Sequence, residues 1–211
     1  VSEAPLGPDG FAAATAVSRE TLERFEAYAA LLSAWSARIN LIGRATLDDL
    51  WRRHFLDSAQ LLPLIPASAR SLVDLGSGAG FPGLVLALLG AKGVELVEAD
   101  SRKATFLREA ARITGAPAVI RGCRIEAVMP HEADVVTARA CAPLARLLAL
   151  GKGFIGPRTT CLFLKGARAE EELTEAGKAW TMTVTRHPSR ADPGGSILLL
   201  QQVAPREPRR D

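Results

Sequence analysis

The chain reads as an α/β domain whose sheet is mostly parallel with a C-terminal antiparallel strand, preceded by an N-terminal helical cap. Three observations predict it. From Ser71 onward, short apolar strand-like runs alternate with amphipathic helical stretches, the texture of successive βαβ units. The first run, Leu72-Val73-Asp74-Leu75, opens at once into Gly76-Ser77-Gly78-Ala79-Gly80-Phe81-Pro82-Gly83, a strand-to-helix turn with glycine at alternate positions. The last two runs are separated only by Pro188 to Gly195, too short for a parallel crossover, so they pair antiparallel.

Taken in order, residues 1–16 are rich in Ala, Pro and Gly and read as a loose arm. Residues 17–66 form the helical cap. Leu22, Phe25, Leu32, Trp35 and Ile39 recur at helical spacing, with Ser18 as N-cap and Glu20 in the first turn. Thr46 followed by Asp49 resembles a capping box for a second helix through Leu50 to Phe55, continuing from Asp57 to Leu62 until Pro63 and Pro66 stop it. In the main domain, 67–211, strands are expected at 71–75, 94–98, 118–121, 134–138, 159–164, 181–187 and 196–203. Helices are expected near 82–90, 102–114, 143–152 and 168–177.

Composition bounds the function. With 211 residues, 48% hydrophobic and 23% charged, the chain is long enough for one α/β domain plus an appendage. No apolar stretch approaches the ~20 residues of a membrane span, and the N-terminus lacks a basic-then-apolar signal, so a cytoplasmic protein is expected. Cys123, Cys141 and Cys161 are odd in number and widely spaced, which indicates neither a disulfide framework nor a metal site. A net charge of +3 is a weak nucleic-acid signal. Local crowding is more suggestive: Arg38, Arg44, Arg52, Arg53 and His54 fall in one region, and Arg206, Arg209 and Arg210 close the chain. A solvated surface explains these as well as RNA does.

The glycine turn points to a nucleotide-type cofactor, because glycines let backbone approach a ligand and permit φ > 0 in a tight turn. Gly78 to Gly83 also fits the dinucleotide fingerprint, with Glu98 at the distance of a ribose-binding acid. Asp74 inside the turn favours S-adenosylmethionine, whose amino-acid half is cationic, over a pyrophosphate that a carboxylate repels. A nicotinamide-dependent oxidoreductase and a purely structural turn stay open on this segment alone. The only tyrosine, Tyr28, lies in the cap, which removes one common dehydrogenase dyad.

With the later segments in view, the chain resembles the RsmG family, also called glucose-inhibited division protein B. The likeness rests on Asn40-Leu41-Ile42, Arg53-His54-Phe55-Leu56-Asp57-Ser58, Asp74 to Gly83, Glu98 with Arg102-Lys103, Arg124-Ile125-Glu126, Ala138-Arg139-Ala140 and Leu164-Lys165-Gly166. It implies a Rossmann-like, class I S-adenosylmethionine-dependent methyltransferase that methylates N7 of a guanosine in 16S ribosomal RNA, at position 527 in the usual numbering. A monomer acting on ribosomal RNA or the small subunit is the expected partner arrangement. Methylation of another RNA base, or an RNA-binding fold without catalysis, are the alternatives.

In an open α/β sheet the ligand sits beyond the carboxyl ends of the strands. The first strand supplies Asp74, Gly76, Gly78, Gly80 and Phe81 as cofactor contacts. The second ends on Glu98, placed for both ribose hydroxyls, with Asp100 a competitor. Ile125 and Glu126 flank the adenine by the family resemblance, although an exposed helix-start glutamate is an equal reading of Glu126. The fourth strand delivers Arg139 to the place where the acceptor atom is positioned, and Arg139 and Lys165 become candidates for gripping base or phosphates. Arg52, Arg53 and His54, with Lys165, are expected to touch RNA, while His54 as a buried structural histidine and Asp57 as a hydrogen-bond acceptor are equal readings. The segment Ala138-Arg139-Ala140-Cys141 lacks the Asn/Asp-Pro-Pro-aromatic motif of exocyclic amine methylation, and Cys141 lacks the flanking residues expected of a carbon-5 nucleophile. Guanine N7 carries a lone pair and no proton, so its methylation needs orientation above all.

Overall fold

The computed structural model describes residues 6–207, with Arg44 and Ala45 described by backbone only; Arg209 and Arg210 lie outside the described residues. The chain begins with helix α1 (Pro8–Thr15), which corrects the expectation of a loose arm over residues 8–15. Pro8 opens it and Asp9 sits in its first turn, both favourable to a helix start. Phe11 is its fully buried anchor, packed on Phe25 at 4.8 Å and Trp51 at 5.5 Å between ring centroids. Burial of such a side chain contributes about 2–3 kcal/mol.

Helix α2 (Arg19–Ser36) starts as predicted, with the Ser18 hydroxyl accepting from the Thr21 amide at 3.2 Å. The capping box expected at Thr46 does not form. Thr46 lies inside the short helix α3 (Arg44–Leu47), and its hydroxyl donates to the Gly43 carbonyl at 2.8 Å. A π-helical turn over Trp51–Leu56 runs into helix α4 (Asp57–Ala59). The wider turn buries His54, Phe55 and Leu56 consecutively, which a regular amphipathic helix does not do.

Strand β1 (Leu72–Leu75) leads through the glycine turn to helix α5 (Gly83–Leu88). Then come β2 (Val94–Val97), α6 (Ser101–Thr114), β3 (Ala118–Arg121), β4 (Val135–Arg139) and α7 (Leu144–Gly151). The chain closes with β5 (Thr160–Lys165), α8 (Ala169–Ala176), β6 (Trp180–Pro188) and β7 (Ser196–Pro205). The sheet order is β3-β2-β1-β4-β5-β7-β6, and β7 runs antiparallel to both neighbours.

Two apolar clusters sandwich the sheet. One joins Phe11, Phe25, Tyr28, Leu32 and Phe55 of the cap to Phe81, Leu84 and Phe106, so the cap is built into the core over α5 and α6. The other packs Leu144, Leu147 and Leu148 of α7 against Val73, Val136 and Phe163. No helix among the described residues is long and apolar enough to cross a membrane.

Candidate active site

The turn after β1 is held by its own backbone and by the next strand. The Ser77 amide donates to the Val97 carbonyl at 3.0 Å, and the Ser77 hydroxyl donates to the Asp74 carbonyl at 3.0 Å. Asp74 is wholly buried: one oxygen accepts from the Thr137 hydroxyl at 2.8 Å, the other from the Gly83 amide at 3.2 Å. Its carboxylate therefore ties β1 to β4 and to the start of α5, directly beneath the glycine turn, and is not among the residues lining the two cavities described below. Burial pushes its pKa up to about 6 against the pull of these hydrogen bonds.

Gly80 is held from the other side. With φ at +93°, it lies under the cap, where a Cβ would overlap the Tyr28 hydroxyl and approach Leu84 Cβ to 2.9 Å. The Tyr28 hydroxyl donates to the Ala79 carbonyl, and its ring stacks on Phe81 at 5.7 Å. Gly76, at φ +66°, instead leaves room for Cys141, whose Sγ a Cβ would meet at 2.5 Å.

Gly76, Gly78, Phe81, Glu98, Ile125, Glu126 and Arg139 line one cavity of 530 Å³ beyond the ends of β1, β2 and β4. Glu98 accepts the Gly78 amide on one carboxylate oxygen and the Asp100 amide on the other, both at 2.7 Å. Asp100 is occupied as the N-cap of α6, accepting from the Arg102 amide at 2.9 Å. A carboxylate offers about four lone-pair positions, so Glu98 keeps acceptor capacity for a pair of hydroxyls while its orientation is fixed. The exposed arginines Arg124 and Arg146 also border this cavity.

A second cavity of 690 Å³ adjoins it. Leu41, Ile42 and the segment Arg139 to Ala142 line both, and within that segment Ala140 holds φ at +51°, a left-handed backbone rare for a residue with a Cβ. The remaining wall comes from Arg53, His54 and Asp57 of the cap, Lys165 at the end of β5, Glu172 of α8 and the loop between β6 and β7. That loop is docked by Ser189, whose hydroxyl donates to Asp57 at 3.2 Å, and by Gln60, which accepts the Arg190 amide at 2.8 Å.

Arg139 does not reach freely into either space. Its guanidinium donates to the Arg53 carbonyl at 3.0 Å and to His54 Nδ1 at 2.6 Å, lies 3.4 Å from Asp57, and covers the Phe81 ring at 4.7 Å. An arginine only donates, so Nδ1 of His54 accepts and the proton sits on Nε2, which donates to the Thr46 hydroxyl oxygen at 2.8 Å. Burial, then the Arg139 charge, lowers the His54 pKa to about 3, so the ring is neutral. His54 is thus buried and hydrogen-bonded at both ring nitrogens while still bordering the second cavity, and Asp57 accepts hydrogen bonds from within the protein.

The other predicted cations also have carboxylates beside them. Lys165 Nζ is 2.8 Å from Glu172 and donates to the Ala142 carbonyl at 2.7 Å; Arg53 is 3.3 Å from Asp192; Arg52 is 3.7 Å from Asp49. Exposed Arg168, which sequence reasoning passed over, borders the second cavity with no carboxylate partner among the described residues. Glu172 and Ser189 were also missed. Cys141 borders both cavities, and burial raises its thiol pKa, which disfavours a thiolate nucleophile. No cluster of possible metal ligands occurs among the described residues.

In fold, the chain is similar to a TehB-like SAM-dependent methyltransferase from Corynebacterium glutamicum, with a TM-score of 0.56 at 15% identity over 84% of this chain and 97% of that one. In sequence, it is 58% identical over 198 residues to the ribosomal RNA small subunit methyltransferase G of Rhodospirillum rubrum, covering 94% of this chain and 98% of that protein. The protein of the same name from Rhodospirillum centenum is 57% identical over 196 residues, 93% and 91% of the two chains. Residues 21–191 match the family described as GidB, rRNA small subunit methyltransferase G, and the chain belongs to that family.

Proposed function

We propose that this chain, an rRNA methyltransferase by family, moves a methyl group from S-adenosyl-L-methionine to N7 of guanosine 527 of 16S ribosomal RNA. It works in the cytoplasm, as a monomer, on RNA of the small ribosomal subunit. The observation that carries the reading is the pair of cavities meeting along Arg139 to Ala142, one beyond β1 and β2 and the other between cap, β5 and hairpin loop.

The residues of the first cavity fit the cofactor. Glu98 is the acceptor for ribose hydroxyls, the backbone at Gly76 and Gly78 gives close approach, and Phe81 and Ile125 supply apolar walls, with Glu126 at the rim. The cofactor supplies an electrophilic methyl group when bound. Asp74 acts through the shape of the turn. The second cavity receives the acceptor base. Guanine N7 needs no base to remove a proton, which suits a cavity whose carboxylates each lie beside a cation. Arg139 is a positioning residue that fixes the seam by holding the cap to the end of β4, and Lys165 keeps one N–H direction beyond its two partners. Arg168, with Arg124 and Arg146, offers exposed charge for phosphates more readily than Arg52, Arg53 or Lys165 does.

The test is to map a tritiated methyl group on ribosomal RNA from a strain lacking this modification, presenting free RNA, 30S subunits and 70S ribosomes separately. Label at a single guanosine N7 is expected, with 30S subunits the best substrate. Label on another base, or none, overturns the reading.

A further inference from the structure

Glu172 stands out among the carboxylates of the second cavity. One oxygen, Oε2, accepts twice, from Lys165 Nζ and from the Leu144 amide, each at 2.8 Å. The other, Oε1, has no hydrogen-bond partner among the described residues, and Glu172 is one of the residues that line the cavity. The neighbouring acids differ. Asp57 accepts from Ser189 and Gln60 on one oxygen and faces Arg139 with the other, while Asp192 is more exposed and paired with Arg53. Glu172 is thus a charge-balanced carboxylate, clamped at one oxygen, with the other oxygen free as an acceptor.

We propose that Glu172 selects guanine by accepting from the N1–H and 2-amino groups of the acceptor base. The inference rests on the reading of the second cavity as the base pocket. Guanine presents two donors on that edge, whereas adenine presents a lone pair at N1 that a carboxylate oxygen repels. The contact leaves N7, on the opposite edge of the purine, free. Lys165 serves this arrangement by fixing which oxygen of Glu172 is free.

The clamp makes an unusual substitution diagnostic. In E172Q, Lys165 and the Leu144 amide can only donate, so the amide oxygen takes the place of Oε2 and the NH2 group takes the place of Oε1. An acceptor toward the base becomes a donor, matched to adenine N1 and mismatched to guanine.

The experiment measures kcat/KM for tritiated methyl transfer to unmethylated 30S subunits carrying guanosine, inosine or adenosine at the acceptor position, alongside calorimetric affinity for S-adenosylmethionine. Wild type should rank guanosine above inosine above adenosine, with guanosine over adenosine by roughly 100-fold. E172Q should cut that ratio by roughly tenfold or more, losing on guanosine and gaining on adenosine, with cofactor affinity unchanged. An unchanged ratio, or equal losses on both bases, overturns the assignment. Should E172Q lose cofactor binding, the wild-type comparison decides: equal rates on the three bases overturn it. A wild-type enzyme that methylates none of them overturns the function proposed above instead.

Discussion

Asp74→Asn separates a structural acceptor from a cofactor ligand. Both oxygens of Asp74 are engaged inside the protein, and burial lifts its pKa from an ordinary 3.8 to about 6. In the unfolded chain the group ionises near 3.8, whereas the folded chain holds the proton until about pH 6. Between those values the folded state binds more protons, so wild-type stability declines as pH rises through this window. At about 1.4 kcal/mol per pH unit, ionised Asp74 costs the fold about 3 kcal/mol at pH 7.5. Asparagine carries no such cost. Its oxygen can accept from the Gly83 amide while its NH2 donates to the Thr137 hydroxyl, which accepts as well as donates. Urea unfolding should therefore find the variant equal to wild type near pH 4 and more stable by about 1–3 kcal/mol at pH 7.5. Calorimetry should show cofactor affinity reduced by less than about tenfold, a difference of about 1.4 kcal/mol. A stability difference that ignores pH, or a variant less stable at pH 7.5, refutes the argument. A larger loss of affinity returns Asp74 to direct contact with the cofactor.

Glu98→Gln places an amide donor against either the Gly78 or the Asp100 amide, and cofactor Kd should rise about 10- to 100-fold by calorimetry, the value of a charged hydrogen bond. Gly80→Ala forces a Cβ into the Tyr28 hydroxyl at φ +93° and should cost about 2–5 kcal/mol in urea, part of it recovered when combined with Tyr28→Phe. His54 is held neutral when folded, so its contribution is complete above about pH 6.5 and is lost at up to about 1.4 kcal/mol per pH unit as pH falls toward 3; His54→Gln should flatten that slope in denaturation measured from pH 5 to 7. Arg168→Ala should weaken RNA binding and lower the slope of log affinity against log salt by about one in a filter-binding series, more than Arg53→Ala does.

The sheet was legible because the central strands β1, β2, β4 and β5 are short, largely apolar runs, and its antiparallel end followed from the length of the last link. Helix α1 was missed although Pro8 and Asp9 are helix-start residues, since the alanines and glycines around Phe11 gave no apolar stripe to read. The π-helical turn was illegible because one extra residue per turn breaks the 3.6 period that sequence reading relies on. At the site, residue types carried the chemistry but not its direction. Asp74 was singled out as a cofactor contact from its place in the turn, while its hydrogen bond to Thr137 depends on a neighbour 63 residues away. The cations were harder still: Arg53 meets Asp192, and Arg139 meets Asp57, across separations that no local pattern reports.

The two cavities divide the chain unevenly. The wall proposed for the cofactor is complete by Leu150, whereas the wall proposed for the acceptor draws on Leu164 to Ser196 in addition to the cap. Variation in that later stretch can reshape what is methylated while the methyl donor's walls stay untouched. A relative that altered only α8 and the final hairpin would inherit the donor chemistry intact, and exchanging these segments between related enzymes is a direct route to moving target choice alone.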